Sequence, residues 1–167
     1  AWKEMEEFFK EDTSRFKQSH LEGALLFIPY GAAVDEFQHL VYENPTASTE
    51  ERAQMWLDVE KVYLPHRVYQ DAPYFASGRF WQRQGHIYRR PFYYIDYCLA
   101  QICALQFWSL AEENRPATMK KYRYLCELGG SKPFTELLNE IQLQSPFSAG
   151  TLKQSIKAPL QELGILT

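Results

Sequence analysis

The run from Cys98 to Leu110, CLAQICALQFWSL, is too apolar to lie anywhere but inside the molecule. Gln101 and Gln106 interrupt it, so it falls short of the roughly 18 continuous apolar residues of a membrane span. A buried helix of this kind must be surrounded by other elements. Directly before it, Gly85 to Tyr97 reads G-H-I-Y-R-R-P-F-Y-Y-I-D-Y. Phenols and an imidazole are costly to bury without partners. Their density at the mouth of a buried helix points to a wet pocket reached from the core. Tyr and His there are donors able to hold a carbonyl or an oxyanion.

The remaining pattern is helical almost throughout. Trp2, Met5, Phe8 and Phe9 form an i, i+3, i+4 stripe. A second helix starts near Asp12 or Thr13 and runs to Asn44-Pro45, with Pro29 expected to kink or split it. Ser48-Thr49-Glu50-Glu51 is a capping box that opens a third helix through about Tyr63, burying Met55, Trp56, Val59, Val62 and Tyr63. From Pro65 to Arg90 the regular pattern stops, which predicts a long ordered loop over about 65–90, of a length that is often functional. Pro91 suits the first position of the apolar helix. Pro116 starts another, Gly129-Gly130 ends it, and Ser131 caps the next. Ser145-Pro146 breaks that one, and a last helix spans about 150–163. The prediction is an all-α multi-helix bundle of six to eight helices forming one domain over residues 1–167.

Net charge is −3 with acids and bases mixed, so there is no basic stripe for nucleic acid. Three cysteines, Cys98, Cys103 and Cys126, lack metal-ligand spacing and read as free thiols in a reducing compartment, which points to the cytoplasm. On a helical wheel Tyr97 falls between Tyr93 and Tyr94, so the three hydroxyls share an arc of about 100°. His86 and Tyr88 precede the helix and can fold over that arc. An aromatic core with its hydroxyls bonded to backbone carbonyls is the other reading of the same residues. Asp35-Glu36-Phe37-Gln38-His39 has the outline of the zinc signature H-E-x-x-H, but Asp35 stands where the first His is needed. His20 and His66 are isolated. Arg79, Arg83, Arg89 and Arg90 crowd the cluster and suit either a peptide carboxylate or ordinary surface pairing.

With these residues in view, the chain resembles oligoendopeptidase F and Pz-peptidase, zinc metallopeptidases of the thimet oligopeptidase family. GALLFIPYGAAVDEFQHLVYENP, YLPHR, FWQRQGHIYRRPFYYIDYCLAQICALQFW and LCELGGSKPF carry the resemblance, which covers essentially the whole chain. It implies the C-terminal part of a zincin-like helical catalytic domain that encloses a channel for short peptides. It also implies zinc held by H-E-x-x-H and a Glu on the next helix, with zinc-bound water attacking the peptide. A His/Tyr-rich loop closes over the substrate, and here that loop matches Gly85 to Tyr97. The resemblance thus assigns His86, Tyr94 and Tyr97 to stabilising the tetrahedral intermediate, and Tyr88, Tyr93 and Arg83 to holding substrate. The zinc helices are expected to precede Ala1, so the chain by itself is expected to bind no zinc and to be inactive. Faces that would meet the missing half favour self-association. Short peptides are the expected partners, with neither nucleic acid nor membrane. A non-catalytic helical module that binds a peptide or another protein is the competing reading.

Overall fold

The computed structural model describes residues 2–166, with the side chains of residues 2 and 3 left aside. The place of Trp2 in the first apolar stripe therefore lies outside the described residues. Among those residues there are seven α-helices and no strands. They are α1 (Trp2–Phe9), α2 (Thr13–Glu43), α3 (Thr49–Tyr63), α4 (Gly85–Arg89), α5 (Ile95–Leu128), α6 (Phe134–Glu140) and α7 (Thr151–Glu162). None is long and apolar enough to cross a membrane. The all-α expectation holds.

The chain divides into two compact units. One is Leu26–Cys98; the other combines the residues up to Leu25 with those from Leu99 onward.

Leu26–Cys98 is built on rings. Ala33, Val34 and Phe37 of α2, Trp56 and Val59 of α3, and Leu64 and Tyr94 are buried together. Phe37 meets Trp56 edge-on at 5.3 Å and Trp81 at 4.9 Å, geometries that add to simple area burial. The capping box of α3 forms: the Ser48 hydroxyl accepts from Glu51 N at 3.2 Å, and the Glu51 carboxylate accepts from Ser48 N at 2.7 Å. Val62, expected on the buried face of α3, is instead 71% exposed. Six residues beyond Trp56, it points about 120° away from it around the helix. Pro29 does not split α2, which runs unbroken for 31 residues.

The irregular stretch at 65–90 is ordered, but it is not loop throughout. From Phe75 it winds into two short helical segments, Phe75–Arg79 and Phe80–Arg83, and then α4. Gly78 makes this possible. Its φ is +80°, and a Cβ there would stand 2.2 Å from the Ala53 carbonyl oxygen, so only glycine lets the segment press against α3. The apolar helix also begins later than Pro91 implies. Phe92 adopts a left-handed conformation (φ +61°), so the chain turns once more and α5 starts at Ile95.

In the other unit, α5 is interrupted at Asn114 (φ −153°, ψ +84°), whose side chain accepts from Ala117 N at 3.1 Å. Asn114 thus caps a fresh helical start in which Pro116 sits in the first turn, as the sequence predicts. Pro133, rather than Ser131, stands at the cap of α6. Leu138, Ile141 and Leu143 form this unit's core, packed by Cys103, Phe107, Leu110, Leu125 and Leu128. The Gln106 side chain clamps the backbone of Gln144 through paired hydrogen bonds of 3.0 and 2.9 Å. That clamp holds the extended link between α6 and α7.

Candidate substrate-binding site

All the sequence-predicted site residues lie in Leu26–Cys98. The turn before α5 sets their geometry, and α2 holds that turn. Gln38 is 1% exposed, and its carboxamide oxygen accepts from Phe92 N at 2.9 Å while its nitrogen donates to Val34 O at 3.2 Å. A left-handed phenylalanine is uncommon, and this hydrogen bond stabilises it. The Phe92 ring packs against His39 at 4.8 Å and Tyr42 at 4.9 Å. Further along, α5 approaches α2 closely at Gly31, where a Cβ would lie only 2.0 Å from Cys98 Sγ. A Cβ there would collide with the Cys98 thiol and touch the Tyr94 ring at 3.7 Å, so glycine is what lets the two helices come this close.

His86 sits at the centre of the tyrosines. Its ring lies 5.1 Å from Tyr94 and 5.6 Å from Tyr97, both edge-on, and stacks parallel to Tyr93 at 6.5 Å. Tyr97 in turn meets Tyr93 and Tyr94, each at 5.4 Å. His86 Nε2 is 3.4 Å from the Tyr97 hydroxyl, a long polar contact. His86 Nδ1 is 2.6 Å from Gln84 Nε2, and the Gln84 carboxamide oxygen accepts from the Tyr30 hydroxyl at 2.9 Å.

The tyrosines differ in exposure. Tyr94 is 8% exposed, and burial pushes its phenol up to about 12, so it stays a protonated donor at any physiological pH. Tyr97 is 39% exposed and Tyr93 is exposed too, so both offer hydroxyls to solvent or a ligand.

Two predicted residues stand outside this group. Tyr88 follows His86 by two residues on α4, so the helix turns it to the far side, where its ring stacks on Trp81 at 5.8 Å. The Arg83 guanidinium lies over Phe80 and Phe75, at 5.0 and 5.6 Å. Sequence reasoning missed Gln84, Tyr30 and Gln38. Gln84 has a signal in hindsight, an amide two residues before the histidine, but nothing in the sequence brings Tyr30 to it across 54 positions.

Among the described residues, no group of three or more His, Cys, Asp and Glu side chains is placed to hold a metal ion. The D-E-F-Q-H segment is accounted for locally: His39 pairs with Asp35 at 3.5 Å, and Glu36 accepts from the Tyr63 hydroxyl. These residues do not fit a zinc site.

Residues 3–156 match the model of peptidase family M3. Three solved structures share the fold. An oligoendopeptidase F is 53% identical with a TM-score of 0.93, over 98% of this chain and 29% of its own. Pz peptidase A, solved with an inhibitor, is 50% identical with a TM-score of 0.93, over 98% and 29%. An oligoendopeptidase F from Bacillus anthracis strain Ames is 46% identical with a TM-score of 0.80, over 99% and 26%. The chain thus spans less than a third of the length of these proteins. No curated protein sequence matches it. With a family match over most of its length and half its residues identical to solved oligopeptidases, the chain belongs to peptidase family M3.

Proposed function

We propose that this chain is the substrate-gripping part of a zinc metalloendopeptidase that hydrolyses short peptides, with His86, Tyr94 and Tyr97 stabilising the tetrahedral intermediate. The observation that carries the reading is the gathering of His86, Tyr93, Tyr94 and Tyr97 around one point, with Tyr97 within 3.4 Å of the imidazole. When water adds to a peptide carbonyl, the oxygen gains charge, and donors already aimed at it stabilise that charge without reorganising. The Tyr97 hydroxyl is the accessible donor, and Tyr94 stands behind it as a second. Tyr93 contacts the peptide through its exposed ring, and Tyr88, on the far side of α4 against Trp81, contacts it farther from the imidazole. Arg83, anchored on Phe80 and Phe75, pairs with a peptide carboxylate.

Zinc enters as the cofactor of the longer protein, held by residues other than those of this chain, and the 167 residues alone are inactive. The three free cysteines favour a reducing, cytoplasmic setting.

The test is hydrolysis of a quenched fluorescent hexapeptide by the longer protein and by the 167-residue chain. The longer protein is expected to cleave it, His86→Ala to lower kcat, and the short chain to leave it intact. Peptide binding without cleavage by the longer protein would favour a binding module, and stoichiometric zinc uptake by the short chain would contradict the division of labour.

A further inference from the structure

Tyr30 on α2, Gln84 ahead of α4, His86 on α4 and Tyr97 on α5 form one continuous chain of polar contacts of 2.9, 2.6 and 3.4 Å. Its direction is decided at the buried end. The Tyr30 hydroxyl is half-buried, and burial raises its ionisation above the ordinary phenol range, so it keeps its proton. Its one hydrogen-bond partner among the described residues is Gln84. A carboxamide turned the other way would donate to Tyr30 and leave the phenol proton without a protein acceptor, so that arrangement loses a hydrogen bond in a place only half open to water. Tyr30 therefore donates to the Gln84 oxygen, and the Gln84 nitrogen is left facing His86 Nδ1. An amide nitrogen only donates, so Nδ1 must accept and the neutral ring carries its proton on Nε2. Nε2 is the ring nitrogen facing the Tyr97 oxygen, at 3.4 Å, and the Tyr97 hydroxyl proton is then free to turn outward.

We infer that Gln84, locked by Tyr30, is a positioning residue that holds His86 in its Nε2-protonated form and so commits the Tyr97 hydroxyl to donate away from the cluster. Both residues act through the imidazole. The tautomer rests on the contacts of Tyr30, Gln84 and His86 and not on the peptidase reading. Its consequence for catalysis rests on the peptidase reading above.

Nitrogen-15 NMR of histidine-labelled full chain, at a pH where imidazole is neutral and with His86 assigned by difference against His86→Asn, reads the tautomer directly. The expected result is a bare, pyridine-type Nδ1 and a protonated Nε2. Gln84→Glu puts an acceptor at both positions, and is expected to move the proton to Nδ1. Tyr30→Phe frees the carboxamide to flip, and is expected to raise the Nδ1–H population. A wild-type His86 protonated at Nδ1 overturns the inference without any variant, and so does a Gln84→Glu protein whose Nδ1 stays bare. In the longer peptidase, Gln84→Glu is expected to lower kcat roughly ten- to a hundredfold with KM little changed, the usual range for a residue that orients another's ring. A wrong tautomer would leave the hexapeptide assay of the wild type untouched, and a failed assay would leave the tautomer standing, so the two claims fail separately.

Discussion

Tyr94 and Tyr97 carry the same phenol into unlike surroundings, one buried and one open. Burial holds the Tyr94 hydroxyl well above the ordinary phenol range and packs its ring against Tyr30 and Phe27 at 5.8 Å each. Tyr97 is the more open of the two and contacts the imidazole. A sequence gives only their wheel positions, which place both on one arc and cannot rank them. Gly78 is the other residue whose identity is forced. Replacing it with alanine combines left-handed strain with a Cβ 2.2 Å from a backbone oxygen that cannot retreat. We expect Gly78→Ala to destabilise the chain by about 2–5 kcal/mol in urea unfolding, summing strain and overpacking. A loss under about 0.5 kcal/mol, the range of neutral surface changes, would mean the close approach to α3 is absent.

Among the elements, the turn at 90–94 sets where Tyr93 and Tyr94 stand, and it depends on one side chain of α2. Gln38→Leu keeps the volume but removes the acceptor of the Phe92 N–H. We expect a cost of about 1–3 kcal/mol, together with faster hydrogen exchange at the Phe92 amide. Unchanged exchange there would show that the turn holds itself. This dependence explains what was legible and what was not. Helices announced by caps and prolines were readable: Ser48 with Glu51, and Pro116, where Asn114 supplies the cap. The start of α5 was not, because Pro91 looks like a helix start and the left-handed Phe92 is imposed from α2 across 54 residues. The irregular stretch was visible through its prolines and glycines. Its helical turns were not, since they exist only against α3, where Gly78 allows contact. Val62 is apolar yet exposed because it lies off the stripe of Trp56 and Val59.

At the scale of the whole molecule, two thiols link stability to alkaline pH. Cys98 and Cys103 are both pushed by burial from 9.0 to about 11. A folded-state value above the unfolded one means that the protonated form is favoured by folding. Its contribution is fully present below about 9 and is lost as pH rises through about 11. The melting temperature is therefore expected to fall across that window, and Cys98→Ala with Cys103→Ala to remove part of the fall. An unchanged slope in the double variant would count against burial as the cause. Membership of peptidase family M3 was legible in long stretches of sequence, and the match over residues 3–156 agrees with it. The grouping of His86 with Tyr93, Tyr94 and Tyr97 was legible too, whereas the hydrogen-bonded chain behind His86 needed three dimensions. On the proposed function, this group grips the peptide as its carbonyl becomes an oxyanion, and steady-state kinetics of Tyr97→Phe in the longer peptidase are the test. We predict kcat lower by about 10²–10³ with KM nearly unchanged; an unchanged kcat, with or without a raised KM, would contradict it.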